Sequence, residues 1–421
     1  MTLTRDTRGE RAWCLYDWGN SAFALVCMTA VLPPYLASLV NRELGPPSGT
    51  IAWGWISALG LLLGVIVSPP LGALADQRGW RRRLLASFAL VGAVVSAALA
   101  LALPESWRLG AVIYVVAASA FAGANVFYDS LLPGLVHEKR WDELSARGYA
   151  YGYAGGALVL LAVAVLAARF GDGGIRAGFV LVGAWWALFT VPVVTVVAEP
   201  PAQAGGGVLE RLRRSLREAR SRPMLWRFLL AYWLYNDGIG TVIKMAAAYG
   251  AEVGIPVTDL VGALLFTQLI GIPATVMFGR IGARVGAKSG IQIALAGYLA
   301  VGVCGLFLSH AWQFWLLAGL VGIVQGGAQA LSRSLYARLL PAGREAEFFS
   351  FYDVSGRVAG IAGPALFAIA TSASGSGRAG VLVVAVLFLS GAWLLGGVEV
   401  VGETPGTGAQ TPGSVSGRTG R

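Results

Sequence analysis

Charge is scarce in this chain, and so are the residues that usually build catalytic or metal centres. Asp, Glu, Lys and Arg make up 13% of its 421 residues, against about 25% in soluble globular proteins. The two histidines, His137 and His310, stand far apart, so no metal site is expected. Cys14, Cys27 and Cys304 all fall in apolar stretches and form no CxxC or disulfide framework. They read as small buried hydrophobes. The nearest approach to GxxxxGK(S/T), Gly282 to Ser289, lacks the Gly before Lys288, which argues against ATP-driven chemistry. A literal GxGxxG from Gly375 to Gly380 lies between two apolar stretches with no βαβ context, so it is not a dinucleotide site. HExxH and GxSxG are absent as well. Neither a cofactor nor an enzymatic activity is expected.

Apolar sequence is abundant instead. The mean hydropathy is +0.67, and apolar runs repeatedly approach the roughly 20 residues that cross a bilayer. Fourteen Trp and 58 Gly suit packed membrane helices with aromatic edges. Twelve spans are predicted, the first six at 12–38, 51–74, 84–103, 108–132, 148–168 and 176–198. The second six are 225–249, 258–279, 289–309, 312–336, 348–372 and 379–398. Arg5, Arg8 and Arg11 precede the first run much as in a signal peptide. Asp17 and Asn20 interrupt that run, however, and it continues past Pro33 and Pro34, so it reads as an uncleaved span.

The net charge of +10 does not indicate nucleic acid, because the basic residues alternate between loops. With the N-terminus, alternate loops and tail assigned to the cytoplasm, 24 Lys and Arg lie on that side and 5 on the other. This predicts both termini inside the plasma membrane, and an even number of spans. The linker 199–224 carries ERLRRSLREARSR, with Leu209, Leu212 and Leu216 at helical spacing among arginines. It reads either as an amphipathic helix on the anionic leaflet or as a solvated linker helix. Residues 399–421 are rich in Gly, Thr, Ser and Pro, and are expected to form a disordered tail.

An internal repeat is visible. Gly123-Ala124-Asn125 and Asp129-Ser130-Leu131 recur as Gly327-Ala328-Gln329 and Arg333-Ser334-Leu335, 204 residues on. Gly148, Gly152 and Gly155 recur as Gly356, Gly360 and Gly363 at an offset of 208, and Gly72 and Gly79 as Gly279 and Gly286 at 207. Leu15-Tyr16 recurs as Leu234-Tyr235 at 219. Matches in the same order at similar offsets imply two parallel six-span halves, 1–198 and 225–398.

The loop after the second span carries Gly72, Asp76, Arg78, Gly79, Arg81 and Arg82. It resembles the signature loop of the major facilitator superfamily. A weaker copy from Gly279 to Lys288 has Ala283 where the Asp would stand. Asp76 is expected either to cap a helix or to pair with an arginine of the other half. Ala12 to Phe23, Phe127 to Pro133 with Gly148 to Gly156, and Glu347 to Tyr352 with Gly363-Pro364 resemble the autophagy-related vacuolar effluxer-like branch. The resemblance covers nearly the whole chain through 398. It implies an all-α fold of two pseudo-symmetric six-helix bundles and a secondary transporter. The fungal members of the branch are implicated in amino-acid efflux, which suggests an amino acid as the solute. Antiporters of the superfamily carry a Pro after the second Gly of the fifth-span motif; Tyr153 stands there instead.

Ionisable groups inside spans cost roughly 2.5–3.5 kcal/mol each on insertion scales, so they are functional candidates. Asp17, Asp129, Arg333, Asp353 and Arg357 fall near the cytoplasmic end. The acids of the first half are expected to face Arg333 and Arg357 of the second, either as a gate or as permanent staples. Asp237 and Lys244 lie mid-span, seven residues apart on one face. They would hold a zwitterion, carry a coupling proton, or simply pair. Tyr16, Asn20, Tyr235, Asn236, Gln268, Gln325 and Gln329 are further cavity candidates. The expected function is transport of a small polar solute by a monomer in a lipid bilayer, by alternating access, with proton coupling as an option. A drug or metabolite exporter, a receptor or scaffold on the same fold, and a lipid translocator are the alternatives.

Overall fold

The computed structural model describes residues 7–45, 48–202 and 208–399, and every regular element among them is helical. The expected tail lies outside these residues apart from Glu399. The first half comprises α1 (Thr7–Phe23), α2 (Leu32–Leu44), α3 (Ser48–Arg78), α4 (Arg81–Ala102), α5 (Trp107–Leu135), α6 (Trp141–Phe170) and α7 (Asp172–Val196). The linker helix α8 covers Val208–Ser221. The second half comprises α9 (Pro223–Glu252), α10 (Val257–Val285), α11 (Ala287–Gly305), α12 (Ala311–Leu339), α13 (Glu345–Ser374) and α14 (Gly377–Gly396).

Helices α1 and α2 form one crossing, Thr7–Leu44, longer than the expected 12–38. They are joined by π-helical turns over Ala24–Ala30, in which Val31 N donates to Val26 O at 3.0 Å. The cause is local: Pro33 and Pro34 have no N–H to give the carbonyls one turn earlier, so the register slips by one residue. Among the described residues eleven stretches are long and apolar enough to cross a membrane. The twelfth crossing is α9, which carries Asp237 and Lys244 in its middle.

Within the first bundle α1 packs on α6 and α7, and α4 on α5 and α7. In the second, α9 packs on α13 and α14, and α10 on α12. The bundles meet where α10 and α12 pack on α6, and where α13 packs on α3 and α5. Each bundle has its own buried apolar cluster, one centred on Trp13, Phe23 and Trp186, the other on Phe228, Tyr298 and Tyr336. Large apolar side chains such as Leu62, Leu101, Val112, Leu188, Phe307 and Leu316 point outward, as expected where the solvent is lipid.

Small residues let α1 and α6 approach closely. A Cβ on Gly155 would stand 2.2 Å from the Trp18 carbonyl oxygen, and one on Gly148 would stand 2.7 Å from Asp17 Oδ2. The turns after α3 and α10 each need a left-handed residue, and Gly79 (φ +65°) and Gly286 (φ +88°) supply it at matching repeat positions.

Candidate functional site

Arg333 on α12 is 2% exposed and reaches across to the first bundle. Its Nη1 donates to Asp129 Oδ1 at 2.9 Å and lies 3.7 Å from Asp17 Oδ2. Nε donates to Ser145 Oγ at 2.8 Å, and Nη2 to the Ser145 carbonyl at 2.9 Å. Its guanidinium lies over the rings of Tyr149 (4.5 Å), Trp13 (4.6 Å) and Tyr128 (5.5 Å). Asp129 and Arg333 occupy equivalent repeat positions, 204 residues apart, so the pseudo-twofold sets them face to face. Asp17, Asp129 and Arg333 are thus brought together. Arg357 is not: its Nε donates to Asp353 Oδ2 at 2.7 Å within α13. The four-residue spacing makes that pair on the helix's own surface, and Arg357 then lies against α3, beside Gly64.

Two more polar clusters tie the halves at the same end. Asp142, at the start of α6, accepts from Arg338 Nη1 at 2.8 Å and Nη2 at 3.0 Å, and also from the Ser334 hydroxyl. Asp76 accepts from the backbone N–H of Ala346 (3.2 Å) and Glu347 (2.8 Å), which places it as a cap on α13 of the other half. Its arginine partner is Arg81 of its own half, at 2.6 Å, rather than one from the other half. Arg81 in turn pairs with Glu345. A Cβ on Gly72 would stand 2.6 Å from the Ala346 carbonyl, which explains the small residue there. Among the described residues Arg82 meets no acid of the second half; its Nη1 donates to Val197 O at 2.9 Å, and its backbone N–H to Glu199 at 2.9 Å. Arg78 stacks on Trp80 at 4.6 Å. The linker helix joins this cluster, because Ser215 donates to Glu347 and Arg344 pairs with Glu218. Helix α8 is therefore docked on α13, a role that neither the leaflet nor the solvated-linker reading included.

At the opposite half of the bundle lies a cavity of about 460 Å³, lined by the π-helical turns, α6, and α9 to α14. Its polar lining residues are Thr29, Thr241, Tyr249, Thr267, Gln268 and Gln325, and among the described residues no Asp, Glu, Lys, Arg or His lines it. Of the expected cavity residues, Gln268 and Gln325 are there. Gln329 lies one turn deeper and accepts from Tyr153, at 3.1 Å, across the half–half interface. The others are turned elsewhere. Tyr16 is buried beside the Tyr128 ring at 4.8 Å, and Asn20 donates to Asn125 at 2.7 Å. Tyr235 is bonded to Ser332 at 2.7 Å, and Asn236 donates to Gly356 O at 3.3 Å. Asp237 and Lys244 neither line the cavity nor form an ion pair. Two turns set them about 10 Å apart along the axis, and each meets the glycine face of α13. Lys244 Nζ donates to Gly360 O at 2.7 Å, and Asp237 Oδ1 lies against Gly363. Ser145, Asp142, Arg338, Glu345, Tyr149 and Trp13 were not expected. Asp142 and Glu345 did leave a signal, each being an acid in the first turn of its helix. Among the described residues no group of three His, Cys, Asp or Glu could hold a metal ion.

Comparison with known proteins places this geometry among transporters. The family model described as "Vacuole effluxer Atg22 like" matches residues 54–403. An uncharacterized MFS-type transporter, YxiO of Bacillus subtilis, is 34% identical over 93% of this chain and 95% of its own length. Autophagy-related protein 22 of Coccidioides immitis is 23% identical over 92% of this chain and 80% of its own length. Among solved structures, the human organic anion transporter MFSD10 superposes with a TM-score of 0.74 at 16% identity, covering 93% of this chain and 100% of that one. The Escherichia coli fucose:proton symporter FucP also reaches 0.74, at 11% identity, over 93% and 98%.

Proposed function

We propose, for a chain that belongs to the vacuole effluxer Atg22-like family of major facilitator transporters, secondary active transport of a small solute by alternating access between the two bundles. The observation that carries this reading is the Asp129–Arg333 pair, 2.9 Å across the halves at equivalent repeat positions, with the cavity on the other side of it. In this reading the charged end is the closed cytoplasmic gate. Rocking the bundles breaks the inter-half pairs there and closes the cavity end. Both termini lie on the cytoplasmic side of the plasma membrane, and a proton gradient drives turnover.

The resemblance to fungal effluxers implicated in amino-acid efflux suggests an amino acid as the solute. A second reading, export of a less polar metabolite, draws on the absence of charge from the cavity lining. Buried charges need partners, and nothing in the lining offers one. The test is flux of labelled amino acids, and of neutral aromatic metabolites, in proteoliposomes with and without a pH gradient. Asp129→Arg should abolish flux and Arg333→Asp in the same chain should restore part of it. Absence of restoration in a folded double variant would overturn the gate. An impermeant maleimide that fails to reach Ser309→Cys from outside intact cells would overturn the orientation.

A further inference from the structure

The groups that hold Arg333 all belong to the first half, and they form a site in their own right. Trp13 comes from α1, Tyr128 from α5 and Tyr149 from α6, with the carboxylates of Asp17 and Asp129 beside them. The walls support one another without the arginine. Trp13 stacks on Tyr128 at 4.4 Å and donates its indole N–H to the Tyr128 carbonyl at 3.0 Å. The Tyr128 hydroxyl donates to Asp17 at 2.7 Å. Ring faces within about 6 Å of a cation attract it, and a cage of them suits large, weakly hydrated organic cations better than small hydrated ions. The occupant is itself such a cation, supplied by the other half.

If the halves part at this end, the cage stays with the first bundle and the guanidinium leaves with α12. The way to the cavity is also marked. Gln325, Gln329 and Arg333 recur every four residues on one face of α12, and Gln325 lines the charge-free cavity. A solute with an apolar body and one cationic head matches both places.

We propose that the first half carries a binding site for an organic cation, an amine or guanidinium head group. Arg333 fills that site in the conformation described, and solute and Arg333 exchange there as the gate opens and closes. This rests on the alternating-access reading and adds the solute's chemical class to it. A zwitterionic amino acid with an apolar side chain satisfies it, and so does a lipophilic amine. An organic anion does not.

The test uses the full chain in nanodiscs, with Arg333→Ala and, should that variant not fold, Arg333→Gln. Millimolar methylguanidinium or butylammonium is expected to raise the unfolding temperature of the emptied variant by a saturable few degrees, whereas sodium chloride of equal ionic strength does not. The shift is expected to vanish when Trp13→Leu and Tyr149→Leu are added. A rise no larger than the sodium control, or an equal rise without the rings, overturns the proposal. In the otherwise wild-type chain, butylammonium should increase maleimide modification of Ala146→Cys at the α6–α10 contact several-fold, and an unchanged rate counts against the proposal there. Failure of the parent reading looks different: Arg333→Ala would then leave Ala146→Cys unreactive whether or not the cations bind.

Discussion

Asp142→Ala is the sharpest test of which contacts hold the gate proposed at the charged end closed. Arg338 meets both Asp142 oxygens, at 2.8 and 3.0 Å, and the two side chains are 8% and 2% exposed. Removing one partner of a buried pair costs about 3–5 kcal/mol, mainly because the other charge is stranded. The contact joins α6 to α12, so it exists only while the halves touch at this end. The whole cost therefore falls on the closed state and shifts the open-to-closed ratio by roughly 10²- to 10⁴-fold. Ala146 on α6 reports that shift, since it is buried and its Cβ abuts the site of Gly279 on α10. With the exposed Cys304 changed to Ser, modification of Ala146→Cys by a permeant maleimide should speed up by a large part of that factor. Adding Arg338→Ala removes the stranded charge and should return much of the rate. A rate unaffected by Asp142→Ala, in a protein that elutes as a single species, would refute the assignment of this pair to the gate.

Three further outcomes follow from the same geometry. Gly155→Leu should cost well over the 1–3 kcal/mol typical of overpacking, because even a Cβ there would lie 2.2 Å from a backbone oxygen; thermal unfolding in detergent reads it. Asp76→Ala removes a cap worth about 1 kcal/mol and takes from Arg81 one of its two acidic partners, so its unfolding temperature should fall more than that of Arg82→Ala, whose contacts among the described residues are to Val197 and Glu199. Asp237→Asn keeps the size of the side chain packed beside Gly363 and should fold normally, yet give a flux indifferent to the pH gradient. If that variant's flux follows the gradient as the parent's does, the coupling group is elsewhere.

The spans were legible because lipid leaves a chain little choice: each crossing needs about 20 apolar residues, and the basic loops must alternate. Even α9, which is not among the eleven most clearly apolar stretches, lies where the span 225–249 is expected. Depth carried more: Asp17 and Asp129 near one end were expected to face Arg333 or Arg357 of the other half, and it is Arg333 that they meet. What could not be read was rotation about each helix axis. Asp237 and Lys244 share a face in sequence, and nothing in their spacing says that the face turns to the glycines of α13 rather than to the cavity. Arg357 illustrates the same gap, because an arginine near an interface pairs with whichever acid its own helix offers first. The π-helical slip at Ala24–Ala30 was signalled by Pro33 and Pro34, but its consequence, Thr29 and Val31 lining the cavity, depends on the tertiary packing.

That the two halves meet through charges at one end and through apolar walls at the other has an energetic reason. A transporter must pass between two conformations of similar free energy, because a change of a few kcal/mol traps nearly all molecules in one. An apolar contact of equal area would favour closure by about 25 cal/mol per Å², with nothing gained on opening. A buried ion pair behaves differently: attraction in the closed state is offset by hydration of the same charges when the end opens, so its net bias is small. Asp129–Arg333, Asp142–Arg338 and the Asp76–Arg81–Glu345 group all place such pairs where the halves must part. The rings around Arg333 add attraction that a hydrated guanidinium loses only in part. Geometry is therefore tightly specified in the closed state, while the free-energy gap to the open one stays within reach of a bound solute.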